Sequence, residues 1–414
     1  MSEFVESTTE RHGYRWVILI LAWLAFTMTA VDRSTWGPAS VSVADHLGVS
    51  LAALGVFATG YYIGYVISNA AGGFLTDWLG PRIMMGSSLF LAGGFMLLFG
   101  QAESAAVGIA FQACIGIFAG CDYSAGVKAI TQWFPASDRG FAMGVFMTAT
   151  SLGVVIANAV VPRLIEASGW QASYRFFGVA SMVVAVLCLA FIREAANTTS
   201  TRREVPDLRQ LSSNRDLWLL GLGGFCALWG TYGFITWSNA LMIKGSDISP
   251  VKAGGVVVIF GIAAIAAKPV VGVLSDLLGM QRKTLATIML IGFSASLILF
   301  GLQDGLTGFY WVAPLLGVFA YAYSPLMVAL IPQLAGARLA GSAAGATNAF
   351  WQLGSTAVPV VLGMVFAQTH SFFWAFATLA AGPLLGAAFI SRVRENAPNP
   401  GTALAEPTAT VGRN

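Results

Sequence analysis

Five charged side chains of this chain stand where charge is hardest to place. Asp32, Arg33, Asp122, Lys128 and Lys268 all fall inside long apolar runs. An ion at the centre of a bilayer costs at least ~2.5 kcal/mol, so such groups line a wet cavity or face one another. Carboxylates in that setting can take up and release a proton, which makes Asp32 and Asp122 candidate proton carriers. Arg33, Lys128 and Lys268 are candidate anion ligands, Arg with a two-pronged fork that fits a carboxylate and Lys as a point charge. Two negatives against three positives leave one cation over, which favours an anionic ligand. Plainer roles stand beside these. Asp32 and Arg33 lie about 25 Å along their run at 1.5 Å per residue and fit an interface as well. Lys128, two helical turns before Pro135, can reach back to water, and Asp122 is either a proton site or the partner of a buried Lys.

Neutral residues can complete such a cavity. Tyr123-Ser124 and Tyr323-Ser324 recur 200 residues apart, and Asn348 and Gln352, four residues apart, share one helix face. Trp229, Tyr232, Tyr321 and Trp351 can pack against an apolar part of a ligand. Other chemistries lack their signatures. Cys114, Cys121, Cys188 and Cys226 sit in apolar runs, His12, His46 and His370 have no metal-ligand spacing, and no phosphate-binding Gly-Lys-Ser/Thr loop occurs. No cofactor, enzyme activity or nucleic-acid partner is expected.

The elements that must hold these residues are membrane helices. Hydrophobic residues make up 57% of the 414 and charged residues 10%, with a mean hydropathy of +0.74. A helix needs about 20 apolar residues to cross a bilayer, and twelve runs qualify: approximately 15–38, 50–72, 82–102, 105–134, 141–163, 174–192, 217–243, 252–273, 284–302, 308–334, 342–368 and 371–391. With the N-terminus inside, fifteen Lys and Arg fall in inner loops and tails, and only Arg163, Arg175, Lys244 and Lys252 in outer ones. The positive-inside rule therefore puts both termini in the cytoplasm. Tyr14 and Arg15 lead into the first run with no small-residue cleavage site, so no removable signal is read. Residues 193–216 form a polar cytoplasmic linker between a first half, 1–192, and a second, 217–394, and the tail 395–414 is expected to be disordered.

The halves carry the same motif. Gly73-Phe74-Leu75-Thr76-Asp77-Trp78-Leu79-Gly80-Pro81-Arg82 returns 199 residues later as Gly272-Val273-Leu274-Ser275-Asp276-Leu277-Leu278-Gly279, followed by Arg282-Lys283. An internal repeat of this length marks a duplicated half. The motif, placed between helices two and three and again between eight and nine, resembles the signature of the major facilitator superfamily over about residues 14 to 394. The resemblance implies an all-α membrane protein of twelve transmembrane helices in two pseudo-symmetric six-helix bundles. It also implies a gate role for Asp77, Arg82, Asp276 and Arg282.

A finer resemblance concerns the anion:cation symporter branch of that family. Asp32-Arg33-Ser34-Thr35-Trp36-Gly37-Pro38 is similar to its helix-one element, and Trp133-Phe134-Pro135-Ala136-Ser137-Asp138-Arg139-Gly140 to its loop after helix four, which adds Arg139 to the gate. In that register Asp32 takes the place of a proton-carrying Asp, Arg33 of an anion-binding Arg and Tyr65 of a substrate-contacting Tyr. Ala119 and Gln112 stand where sugar-acid members carry Glu and Arg, and Thr150 where they carry a polar helix-five contact, so neither their two-carboxylate coupling nor their substrate carries over. Lys268-Pro269 resembles the place of a carboxylate-binding Arg in monocarboxylate transporters. Together these imply a monomeric, proton-coupled importer of a small organic anion in the cytoplasmic membrane. Two other readings stay open: proton-driven efflux, although Ala157-Asn158 replace the Gly-Pro of its helix-five pattern, and a transporter-like sensor that signals without transport.

Overall fold

The computed structural model describes residues 2–135, 138–193, 213–278, 280–335 and 340–395. Among them the chain is helical, with no strand. The first crossing is α1 (Ser2–Ser34) and α2 (Trp36–Leu47), interrupted at Thr35. After a short 3-10 turn comes α3 (Leu54–Phe99), then α4 (Ala105–Ala119), α5 (Asp122–Trp133), α6 (Arg139–Ser168) and α7 (Trp170–Phe191). The second half holds α8 (Arg215–Ala240), extended by one π turn at Leu241–Gly245, then α9 (Pro250–Leu278), α10 (Arg282–Gly301), α11 (Leu306–Ala335), α12 (Ala340–Thr369) and α13 (Phe372–Ile390).

Eleven stretches among the described residues are long and apolar enough to cross a membrane, and one of them, Leu51–Phe99, runs for 49 residues. At 1.5 Å per residue that is about 70 Å, more than twice the ~30 Å hydrocarbon thickness. It folds at Gly80, whose φ of 83° and ψ of 155° only glycine adopts readily, just before Pro81. Its two arms bring the crossings to twelve. Large apolar side chains such as Ile20, Ile67, Val183, Trp311 and Leu384 are exposed around the outside, the surface that a lipid-embedded bundle presents.

Two expected boundaries shift. The second run was expected to stop at residue 72, with the repeated motif in a loop, yet Gly73–Leu79 stays helical up to Gly80. The first copy of the motif is the end of a helix and a turn, because its polar Thr and Asp are spaced by residues that leave the backbone ladder intact. The second half begins at Arg215 rather than 217, since the Asn214 side chain accepts from the Asp216 and Leu217 amides at 3.0 and 3.2 Å and caps α8. Residues 194–212 of the expected linker and 396–414 of the expected tail lie outside the described residues.

Toward one side the halves are joined by direct contacts. Thr59 Oγ1 donates to the Thr356 carbonyl at 2.9 Å, Asn239 Nδ2 to Asn158 Oδ1 at 2.9 Å, and Lys244 pairs with Asp45 at 3.3 Å. A Cβ on Gly55 would meet the Pro359 carbonyl oxygen at 2.0 Å, so α3 and α12 touch backbone to backbone. All of these lie toward the face opposite the N-terminus, here the far face. On the terminal face the bonds stay within a half: Arg15 with Asp138 at 2.9 Å, and Glu395 with the Arg282 and Lys283 amides at 3.1 and 2.9 Å.

Candidate functional site

The site forms where two helices break. Pro38 has no N–H, so the Ser34 carbonyl loses its i+4 donor and the first crossing is interrupted at Thr35. Asp32 and Arg33 sit on the turn before that break. The fourth crossing is interrupted at Gly120-Cys121, and Asp122 opens α5, where the N-terminal end of the helix dipole favours a carboxylate.

Arg33 is buried to 6% exposure. Its guanidinium lies 4.7 Å from the Tyr232 ring centre and 5.7 Å from that of Tyr65, and Tyr61 and Tyr62 stand in its field. Tyr65 stacks on Tyr61 at 5.9 Å, and Tyr62 meets Tyr232, from the other half, at 5.3 Å. Lys268 enters from α9. Its Nζ donates to the Thr150 hydroxyl at 2.8 Å and the Met147 carbonyl at 3.1 Å, both on α6, and sits 4.7 Å from the Tyr321 ring centre. Arg33 and Lys268 repel each other electrostatically. Neither has a carboxylate within ion-pairing distance among the described residues. Aromatic faces attract cations but leave their charge uncancelled, so the middle of the molecule holds two cations able to receive an anion.

The carboxylates lie inside the first half. Ser181 Oγ reaches both oxygens of Asp32, at 3.0 and 3.2 Å, and Thr29 Oγ1 donates to Asp122 at 2.5 Å. Both are buried, and they interact electrostatically. Hydroxyl partners can serve a carboxylate or a carboxylic acid, so this pair can exchange a proton without dismantling its surroundings.

Other expected residues are distributed differently. Lys128 is not brought to Arg33: its Nζ pairs with Asp77 at 3.2 Å and donates to the Thr76 carbonyl at 2.9 Å, near the terminal face. Its four-carbon stem carries the ammonium out of the apolar run, as snorkelling allows. Arg82 donates to the Leu189 carbonyl at 2.7 Å, Arg139 to those of Phe134 and Thr131 at 2.9 Å, and Arg282 to that of Ala329 at 3.5 Å. These arginines tie helix ends within their own halves. The Asp276 side chain lies outside the described residues. Tyr123 packs on Phe26 and Phe146 at 5.9 and 6.4 Å, Tyr323 shares a 2.9 Å hydrogen bond with Thr231, Asn348 is half-buried, and Gln352, one turn on, is buried. Sequence reasoning missed Tyr61, Tyr62, Ser181 and Thr29. The tyrosines had a signal, three within five residues of one apolar run, whereas the two hydroxyls had none. Among the described residues no group of His, Cys, Asp and Glu is placed to hold a metal ion.

Comparison with known proteins agrees with the fold. The family model described as Major Facilitator Superfamily matches residues 22–359. A probable galactarate/D-glucarate transporter of Bacillus subtilis (strain 168) is 24% identical over 400 residues, covering 88% of each chain. A hexuronate transporter of Escherichia coli (strain K12) is 26% identical over 443 residues, covering 93% of this chain and 95% of its own. Among solved structures, a bacterial homolog of the human lysosomal transporter Spinster, inward-facing and occupied, superposes with a TM-score of 0.77 at 15% identity, over 92% of this chain and 97% of that one.

Proposed function

The chain belongs to the major facilitator superfamily of multi-pass membrane proteins, and on that premise we propose that it moves a small organic anion across the membrane together with a proton. One observation carries the reading: Arg33 and Lys268, from opposite halves, each lie against tyrosine rings with no carboxylate in ion-pairing distance among the described residues. An anion between them replaces a repulsion with two attractions, and a carboxylate meets Arg33 in bidentate form. The sugar-acid and hexuronate relatives support the ligand class.

In the proposed cycle Asp32, with Asp122 behind it, holds the proton, and Arg33 and Lys268 hold the anion. Lys268 is also a link between halves through Met147 and Thr150, so an anion that draws its ammonium away alters the bonds that join them. Binding then biases the rocking of the halves by its differential affinity for their two arrangements. A proton moving with a monoanion carries little net charge while using the pH gradient, which drives import. The distribution of Lys and Arg supports cytoplasmic termini; the far face is then the outer one, and the arrangement is closed outward. Asp77 and Lys128, joined near the terminal face, act as gate residues.

The test is uptake of radiolabelled D-glucuronate and D-glucarate into proteoliposomes with the outside acidic. Accumulation of at least one that collapses with the pH gradient is expected. Accumulation indifferent to the gradient contradicts the reading, and accumulation of neither contradicts a sugar-acid ligand.

A further inference from the structure

A small cavity adjoins Arg33, and neither Lys268 nor its partners Met147 and Thr150 line it. Its volume is about 10 Å³, and its walls include Trp36, Tyr61 and Gln112 of the first half and Ile235 and Thr236 of the second. That is room for about one water-sized atom or group. Arg33, Trp36 and Tyr61 are all more than nine-tenths buried, at 6%, 4% and 3% exposure. Among the described residues Arg33 Nε, Trp36 Nε1 and the Tyr61 hydroxyl have no hydrogen-bond partner. Buried polar atoms without partners are rare, and each calls for an explanation. Here the residues that carry all three line one cavity. Guanidinium and indole N–H groups only donate, and the phenol can donate too, so the cavity asks for an acceptor, most of all a charged one.

We propose that this cavity is an oxyanion subsite that receives one carboxylate oxygen of the transported anion, with the other oxygen and the body of the molecule on the Lys268 side. The assignment rests on Arg33 being the anion anchor and adds Trp36 and Tyr61 as substrate-positioning residues. It also explains how binding is sensed at the far face: Ile235 and Thr236 belong to α8, and a Cβ on Gly37, beside Trp36, would meet the Ile235 carbonyl at 2.6 Å. An oxygen seated there fills the seam between the halves. A small free anion such as chloride offers the same acceptor chemistry.

The experiment is calorimetric binding of D-glucuronate and D-glucarate to the full-length protein in detergent, in chloride-free buffer and with chloride added. Trp36→Phe and Tyr61→Phe keep the rings stacked on Phe57 and Tyr65 and remove one donor each. Each is expected to weaken carboxylate binding roughly 10- to 100-fold, the effect of losing a hydrogen bond to a charged group, with wild-type affinity independent of chloride. Wild-type affinity in both Phe variants overturns the subsite. So does a chloride dependence of wild-type binding that the Phe variants abolish, which makes the cavity a halide site. Arg33→Gln separates the layers: its loss of binding beside unaffected Phe variants overturns the subsite alone, and its retention of binding overturns the anchor beneath it. A measurement on the wild type guards against misfolded variants. With ¹⁵N-indole labelling, the carboxylate is expected to shift the Trp36 Nε1–H resonance downfield, and an unmoved resonance at saturation overturns the proposal.

Discussion

In the proposed reading the anion site depends on Arg33 and Lys268, and substitution of either is expected to weaken binding. Arg33→Gln and Lys268→Gln should each weaken anion binding by roughly 2–5 kcal/mol, the usual effect of truncating one partner of a buried charge pair. Lys268→Arg restores the cation and should bind better than Lys268→Gln in the same titration. Equal affinity in Lys268→Arg and Lys268→Gln would mean that Lys268 acts through packing. Asp32, Arg33, Asp122 and Lys268 were legible in the sequence because a charge in an apolar run stands out whatever surrounds it. For Lys128 both a ligand role and a reach back toward water stood open, and its pairing with Asp77 was not legible, because sequence position fixes where a lysine's backbone lies and leaves its ammonium a reach of four carbons. Ser181 and Thr29 were illegible, since the direction a hydroxyl faces depends on helices distant in the chain, as the 149-residue separation of Ser181 from Asp32 illustrates.

At the scale of elements, the helices place the chemistry through their breaks and their close approaches. Gly80 turns the α3 stretch back across the membrane with a backbone that other residues adopt only with strain, so Gly80→Ala should lower stability by about 1–3 kcal/mol. A thermal melt in detergent checks this, and an unchanged melting temperature would mean that the turn tolerates a side chain. Gly55 tests the far face. Because a Cβ there meets the Pro359 carbonyl, Gly55→Val should wedge α3 from α12 and expose a cysteine placed at Thr59 to a membrane-impermeant maleimide, whereas unchanged labelling would mean that the contact does not hold the face shut. The twelve crossings were legible because apolar run length is a direct imprint of bilayer thickness. The interruptions at Thr35 and Gly120-Cys121 were not foreseen, although Pro38 was in plain view, because a missing backbone donor can bend, break or merely loosen a helix, and packing decides which.

For the whole molecule, two repeated bundles meet on the far face and hold two uncancelled cations between them, with a buried carboxylate pair on one side. Duplication of the Gly73–Arg82 motif made the two halves readable from sequence, but the motif says nothing about which face is closed. That depends on contacts such as Asn158 with Asn239 and Asp45 with Lys244, which join residues far apart in the chain. The central claim is that anion and proton move together through this site, and the most direct measurement is proton entry into proteoliposomes loaded with a pH-sensitive dye when D-glucuronate or D-glucarate is added outside. Lumenal acidification is expected with at least one of them in the wild type, and none in Asp32→Asn or Arg33→Gln protein that remains folded. Undiminished acidification in both variants, or labelled anion entering wild-type vesicles with no accompanying proton, would contradict it.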